Sequence, residues 1–273
     1  MDTVKKLINN NLLKINIMST TSIFTFGSKA VKMLLVTIIG ASFLFSSCKK
    51  GSNSKDTTTT TSSEKSNSSK TTSSVTEDDA AAAVSESSDG LVIQTSYAST
   101  TSIVFSKSEN CGVKKDTTFS NKGSYGSRSY SYSLSWSRLL TCANGYPSKF
   151  EHSFSGSTSY TSNKVSLDGK ASGTFTVTGL DYANSKLTLN QMYTDSGTVK
   201  INGKTFNSKV SIKTTNVVVD KVAQQITSGT GSVVVSGTDS AGTKYEYTGV
   251  LTFSDNKKAT LTMKGGGTYY LSW

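Results

Sequence analysis

From Ser129 to Trp136 the chain alternates without a break, Tyr130, Tyr132, Leu134 and Trp136 against Ser129, Ser131, Ser133 and Ser135. Such a period of two places large rings on one face of an extended chain and hydroxyls on the other, which only a strand with one packed and one wet face can use. Phe150, His152 and Phe154 repeat the pattern around Glu151 and Ser153, and Val210 and Ile212 around Ser211. Asn202-Gly203 supplies the two positive-φ positions of a tight hairpin turn, and Ser254-Asp255-Asn256-Lys257 and Gly265-Gly266-Gly267 read as further turns. The single proline, Pro147, reads as part of the loop after Asn144-Gly145.

Three related segments strengthen the pattern. Ser172–Gly179, Ser196–Gly203 and Thr230–Gly237 each read as a short strand entering a glycine turn, at offsets too irregular for a solenoid. Hairpin added to hairpin generates such spacing. The expectation over residues 92–273 is therefore an all-β domain, an antiparallel meander of about ten to twelve strands forming a curled sheet or a closed barrel.

Composition narrows the functional classes. With 34% hydrophobic residues in 273, part of the chain stands outside any core, and one histidine leaves little room for imidazole chemistry. No Gly-x-Ser-x-Gly turn, His-Glu-x-x-His motif or calcium loop occurs, so no catalytic residue, metal ligand or cofactor is assigned. His152, between two aromatic positions, reads as a packing residue. From residue 90 onward 19 Lys and Arg face ten acids, scattered along turns and wet faces rather than clustered as a nucleic-acid footprint. The Tyr269, Leu271 and Trp273 ending is that of a membrane-barrel strand, but Gly265 and Gly267 stand where lipid-facing residues belong.

The N-terminal region reads as an address. Lys29 and Lys32 precede the 13-residue apolar run Met33–Phe45. At about 1.5 Å per residue this run spans roughly 20 Å, too short for a bilayer core but suited to a signal peptide. Phe45-Ser46-Ser47-Cys48 follows, with Lys49-Lys50 after it. This segment resembles the lipobox of bacterial lipoproteins of the Bacteroidota type, in which the leader is cut before a cysteine that receives lipid. The resemblance implies a leader over 1–47, started at Met1 or Met18, a lipidated Cys48, and an envelope location on the outer membrane, at its periplasmic face or the cell surface. It carries no activity or substrate. Asp56-Thr57-Thr58 resembles the O-glycosylation triplet of the same group, which implies modification of Thr57; Asp116-Thr117-Thr118 and Asp239-Ser240-Ala241 share the form.

Residues 48–76 are Ser/Thr-rich and almost without apolar side chains, a composition that reads as a disordered tether holding the body roughly 30 Å from the membrane. Thr76 followed by Glu77, Asp78 and Asp79 and then alanines gives an N-cap and an acidic first turn. A helix of two or three turns is expected within 77–91, before the β domain. With Cys48 taken by lipid, Cys111 and Cys142 are the remaining pair, and an oxidising envelope favours a disulfide between them.

The sequence thus suggests an anchored, non-enzymatic binding or structural β domain, with the bilayer as partner through acylated Cys48 and no nucleic acid. Two rivals stand beside it. One is a carrier of lipid or another apolar ligand on a concave sheet; the other is a surface glycan-binding module using Tyr130, Tyr132 and Trp136 as a stacking platform.

Overall fold

The computed structural model describes residues 49–50, 72–108, 111–125, 128–162, 165–181 and 183–273. The leader, Cys48, Thr57 and most of the tether lie outside them. The described elements are β1 (Lys49–Lys50), α1 (Glu77–Ser108), β2 (Lys114–Tyr125), β3 (Arg128–Ala143), β4 (Tyr146–Thr161), β5 (Val165–Thr178), β6 (Lys186–Ile201), β7 (Lys204–Asp220), β8 (Gln225–Thr238), β9 (Lys244–Ser254), β10 (Lys258–Met263) and β11 (Thr268–Ser272).

Strands β2 to β11 form a ten-strand antiparallel meander in which each strand pairs with its neighbours in sequence. No pairing joins β2 to β11, so the sheet is open rather than a closed barrel. The two-residue β1 adds to the β11 edge, Lys49 opposite Tyr270 and Lys50 opposite Tyr269. The opposite edge, β2, carries Lys114, Lys115 and Lys122, charges that discourage another chain from pairing there.

The turns follow the sequence. Asn144-Gly145 and Asn202-Gly203 hold φ values of 52° and 79°, and of 51° and 80°, as tight hairpins require. Each of the three related segments places alternate apolar residues inward: Phe175 and Val177, Val199 and Ile201, Val233 and Val235 are all buried, while Val234 lies exposed between the last two. Pro147 departs from its expected place in a loop. It is the second residue of β4, opposite Cys142 where the β3–β4 register shifts, a position where the missing N–H costs no regular ladder bond.

The largest correction concerns α1. In place of two or three turns, the helix runs for 32 residues, through the segment where strands were expected to begin. Its start matches expectation: Thr76 Oγ1 accepts from Asp79 N at 3.3 Å while Thr76 N donates to Asp79 Oδ2 at 3.0 Å, a reciprocal cap.

The helix packs against β3, β4, β5, β6, β7, β8 and β10. Strands lie about 4.8 Å apart, so β3 to β10 would span about 34 Å if flat, far beyond the 10–12 Å width of a helix. The sheet must therefore curl around α1. Gly169 and Gly197 face each other across β5 and β6, and a Cβ on either would overlap the opposite backbone. Ala80, Ala81, Val84, Ser87, Leu91, Ala98 and Ser102 are almost wholly buried. The less buried positions Ala82, Glu86, Asp89, Gly90, Ser96 and Ile103 fall along one stripe.

Several buried hydroxyls inside this wrap find partners. Thr95 Oγ1 donates to Leu91 O and Ser99 Oγ to Thr95 O, each at 2.8 Å. Gln191 Nε2 donates to Thr95 Oγ1 at 3.0 Å, and Thr214 Oγ1 to Gln191 Oε1 at 3.1 Å, a polar chain from β7 through β6 to the helix. The N-terminal end is fixed by charge and backbone. Lys204 Nζ meets the buried Asp79 carboxylate at 2.7 Å, Gly267 N donates to Glu77 Oε1 at 3.0 Å, and Tyr269 Oη donates to Asp78 Oδ1 at 2.6 Å.

Candidate functional site

The inner face of the sheet is filled by α1, except near the middle of the helix, where a cavity of about 110 Å³ remains between α1 and β3–β6. At 10–15 Å³ per water this is room for roughly seven to ten waters, the scale of one small ring-shaped ligand. Four strands and the helix build it. The meander's inward parity brings Tyr130, Tyr132, Leu134 and Trp136 from β3, Phe154, Thr158 and Tyr160 from β4, Leu167 and Ala171 from β5, and Tyr193 and Asp195 from β6. The helix contributes Glu86, Asp89, Gly90, Ile93 and Gln94.

A glycine inside a long helix costs stability relative to alanine, and the cavity explains this one. A Cβ at Gly90 would overlap Tyr193 Oη, so glycine lets the tyrosine of β6 lie against the helix. The rings form a continuous wall. Trp136 lies 4.1 Å from Tyr97 and 5.6 Å from Phe119 between ring centres, Tyr130 is stacked on Tyr132 at 6.2 Å, and Phe154 lies 5.9 Å from Tyr193.

The cavity carries acid and no base. Glu86, Asp89 and Asp195 line it, and no Lys, Arg or His does, in a chain whose net charge is +11. Asp195 is 7% exposed. Its Oδ2 accepts from Ser87 Oγ at 3.3 Å, while Oδ1 has no hydrogen-bond partner. Burial pushes its carboxyl up to about 6, against the opposing pull of Ser87 and the Ser196 N–H. Trp136 Nε1 and Thr158 Oγ1 are likewise buried without a partner. Polar atoms in a protein interior are nearly always satisfied, so four such atoms in the wall of one cavity, Tyr132 Oη included, point to a ligand or ordered water that would satisfy them.

His152 stands just behind this wall. It is 2% exposed and packed among Tyr97, Trp136, Phe154 and Phe175, with Nε2 3.4 Å from Gln94 Oε1. Burial lowers its pKa to about 4, with Arg138 acting in the same direction, so the imidazole is neutral near pH 7.

The three aromatic residues singled out in the sequence are brought together, but as the lining of a cavity. Trp136 is 4% exposed, and Tyr130 and Tyr132 are half-buried. Cys111 and Cys142 are joined by a disulfide with Cα atoms 5.6 Å apart, tying the chain just after α1 to the end of β3. Cys48 and Thr57 fall outside the described residues. Asp239, in one of the glycosylation-like triplets, instead organises a turn. Its Oδ1 accepts from Ala241 N and Thr243 N and its Oδ2 from Ser74 N, and those bonds, Ser74 first, hold its carboxyl down to about 2 despite some desolvation. Asp116 and Thr117 lie exposed on the β2 edge.

Glu86 and Asp89 are functional candidates that the sequence reading passed over. Their only sequence signal was a pair of acids three apart within a segment read as a short cap. Among the described residues no group of His, Cys, Asp and Glu is arranged to hold a metal ion, and no helix is long and apolar enough to cross a membrane. No protein-family model matches the chain, and no curated protein or solved structure is detectably similar to it.

Proposed function

We propose that this chain is a lipid-anchored envelope protein whose β body is a non-enzymatic binding domain, its ligand occupying the cavity between α1 and β3–β6. The observation that carries the binding reading is the filled interior. With α1 seated along the curled sheet, a long acyl chain finds no open concave face, whereas a compact ring finds aromatic walls and polar atoms lacking partners. This favours a small polar ligand over the lipid-carrier alternative.

The anchoring reading rests on the resemblance of Phe45–Cys48 to a lipobox. Lys49 and Lys50, the two residues that follow the lipobox, pair with β11 at the edge of the sheet. Metabolic labelling with palmitate, followed by fractionation of cells, tests the anchor. Cys48→Ala should abolish labelling and release the protein from membranes; labelling retained in that variant overturns the reading.

A second reading draws on the same acids. Two carboxyl groups lining one cavity, one of them raised to about 6 by burial, are the kind of groups used in glycoside hydrolysis. Cleavage of chromogenic glycosides by the wild-type protein, lost in Asp195→Asn, would replace binding with catalysis.

A further inference from the structure

The floor of the cavity is set by small residues. Leu134, Gly156, Ala171 and Asp195 stand opposite one another along one rung of β3, β4, β5 and β6. Trp136, Phe154, Gly173 and Tyr193 form the rung on one side, and Tyr132, Thr158, Gly169 and Gly197 the rung on the other. Glycine and alanine leave room above the sheet that larger side chains would have filled, so the space is fixed by strand register.

We propose that the cavity binds a neutral polyhydroxylated ring, a hexopyranose or a cyclitol. The proposal rests on the reading of this cavity as a ligand site and specifies its chemistry. Trp136 Nε1 can only donate, Asp195 Oδ1 accepts when ionised, and Thr158 Oγ1 and Tyr132 Oη can do either; all four are buried without a partner. A hydroxyl donates and accepts at a single atom, so several of them around one ring can answer all four. The faces of such a ring carry C–H groups, which suit aromatic walls, while the few polar atoms fix its orientation.

Size and charge point the same way. Room for roughly seven to ten waters holds one ring and not a chain of rings. Glu86 and Asp89 interact with other groups of the protein and are less buried than Asp195, so they call for no cation. An anion would meet no Lys, Arg or His among the described residues that line the cavity, and would lose its hydration without gaining a counter-charge. A free monosaccharide and the terminal residue of a glycan share this chemistry, and the choice of probes separates them.

The test is isothermal titration calorimetry of the full chain in detergent with glucose, galactose and myo-inositol, with maltose and lactose, which end in glucose and galactose, and with phenol and choline for comparison. At least one free polyol should bind about tenfold more tightly than phenol, a ring with a single hydroxyl, and than choline, a cation. A disaccharide that binds as tightly as the hexose ending it assigns the site to the end of a glycan; binding of the free rings alone assigns it to free sugar. Ala171→Leu, which fills the floor, should weaken binding about tenfold. Thr158→Val, which keeps the shape of the side chain and removes its hydroxyl, should weaken it about three- to tenfold. Phenol or choline binding as tightly as the best polyol would overturn the polyol assignment while leaving the cavity as a ligand site. An affinity unchanged in both variants would place the polyol elsewhere and overturn it too. If none of the compounds bound, the binding reading would fall as well. Should Ala171→Leu not fold, Thr158→Val still decides.

Discussion

Strands β7–β11 and strands β3–β6 cover different sides of one helix and are built from different residues. The first group presents Val210, Ile212, Val217, Val219, Val233, Val235, Leu251, Leu261 and Leu271, a mainly aliphatic wall, with Phe206, Tyr245, Phe253 and Tyr269 towards its margins in sequence. Where that side meets the start of α1, the polar groups are matched one to one: Lys204 with Asp79, the Gly267 N–H with Glu77, Tyr269 with Asp78, Tyr247 with the Val75 carbonyl. The second group presents Trp136, Phe150, Phe154, Phe175 and Tyr193 with His152 and Asp195 among them, and there Trp136 Nε1, Thr158 Oγ1 and Asp195 Oδ1 lack partners. Large rigid rings tile a curved surface less completely than branched aliphatic chains, and the gap they leave is the cavity. Buried polar atoms without partners are concentrated on the aromatic side, with Ser208 Oγ of β7 on the other, a bias that is informative because such groups concentrate at functional sites.

If the division is real, equal truncations should have unequal costs. Leu261→Ala, at a fully buried position in β10, should destabilise by about 3–4 kcal/mol, the sum of lost transfer energy and a new void. Leu134→Ala should cost nearer 2 kcal/mol, because Leu134 already borders the cavity and has fewer neighbours to lose. Urea unfolding of both variants gives the comparison. Equal losses would mean that the cavity wall is as tightly packed as the aliphatic side.

Two buried titratable groups, His152 and Asp195, sharpen the contrast, since they sit on the aromatic side and act with opposite signs. His152 has its folded pKa depressed to about 4 from 6.5. The neutral form is favoured by folding, so its contribution is intact above pH 6.5 and is lost as pH falls towards 4. Asp195 has its folded pKa raised to about 6 from 3.8. Folding favours its protonated form, so stability is intact below about 3.8 and is lost as pH rises through 6. Each effect amounts to roughly 3 kcal/mol at full extent, and between pH 4 and 7 they nearly cancel. Asp195→Asn should therefore stabilise the protein by about 2–3 kcal/mol at pH 7 and by little at pH 4, exposing the acid sensitivity that His152 confers. Urea titrations at the two pH values measure this. A variant with the same gain at both would show that Asp195 is not the buried acid described here.

What the sequence discloses, and what it hides, follows from the same geometry. Strands with one wet face must alternate, and so Tyr130–Trp136, Phe150–Phe154 and Val210–Ile212 announced themselves, together with the Asn-Gly turns between strands. The helix did not. A segment enclosed by a curled sheet on nearly every side has no polar face, so Ala80–Ser102 shows no amphipathic period to detect. Hydroxyls that read as solvated chain instead turn back onto the helix's own carbonyls, as Thr95 and Ser99 do, or meet the sheet, as Thr95 meets Gln191 and Ser87 meets Asp195. The same concealment covered half of the site. The aromatic stripe was visible because it lies on a strand, whereas Glu86, Asp89 and Gly90 acquire meaning only once the helix is seen to run past β6. Nothing local to residues 86–90 indicates that Tyr193, more than a hundred residues later, will lie against them.

Gly90 gives the finest test of that juxtaposition. On an isolated helix, Gly→Ala would stabilise by about 1 kcal/mol through propensity alone. Here the added methyl would meet the hydroxyl of Tyr193, a side chain packed too tightly to swing away. Gly90→Ala should therefore destabilise by about 1–2 kcal/mol, the usual range for one extra methyl in a filled interior. Tyr193→Phe removes the oxygen that the methyl strikes, so the double variant should recover part of the loss, and the coupling between the two changes should exceed about 0.5 kcal/mol in a double-mutant cycle. Thermal or urea unfolding of the four proteins supplies the cycle. Additive effects would mean that the helix and β6 do not touch at this point, and the cavity that their contact helps to enclose would need to be redrawn.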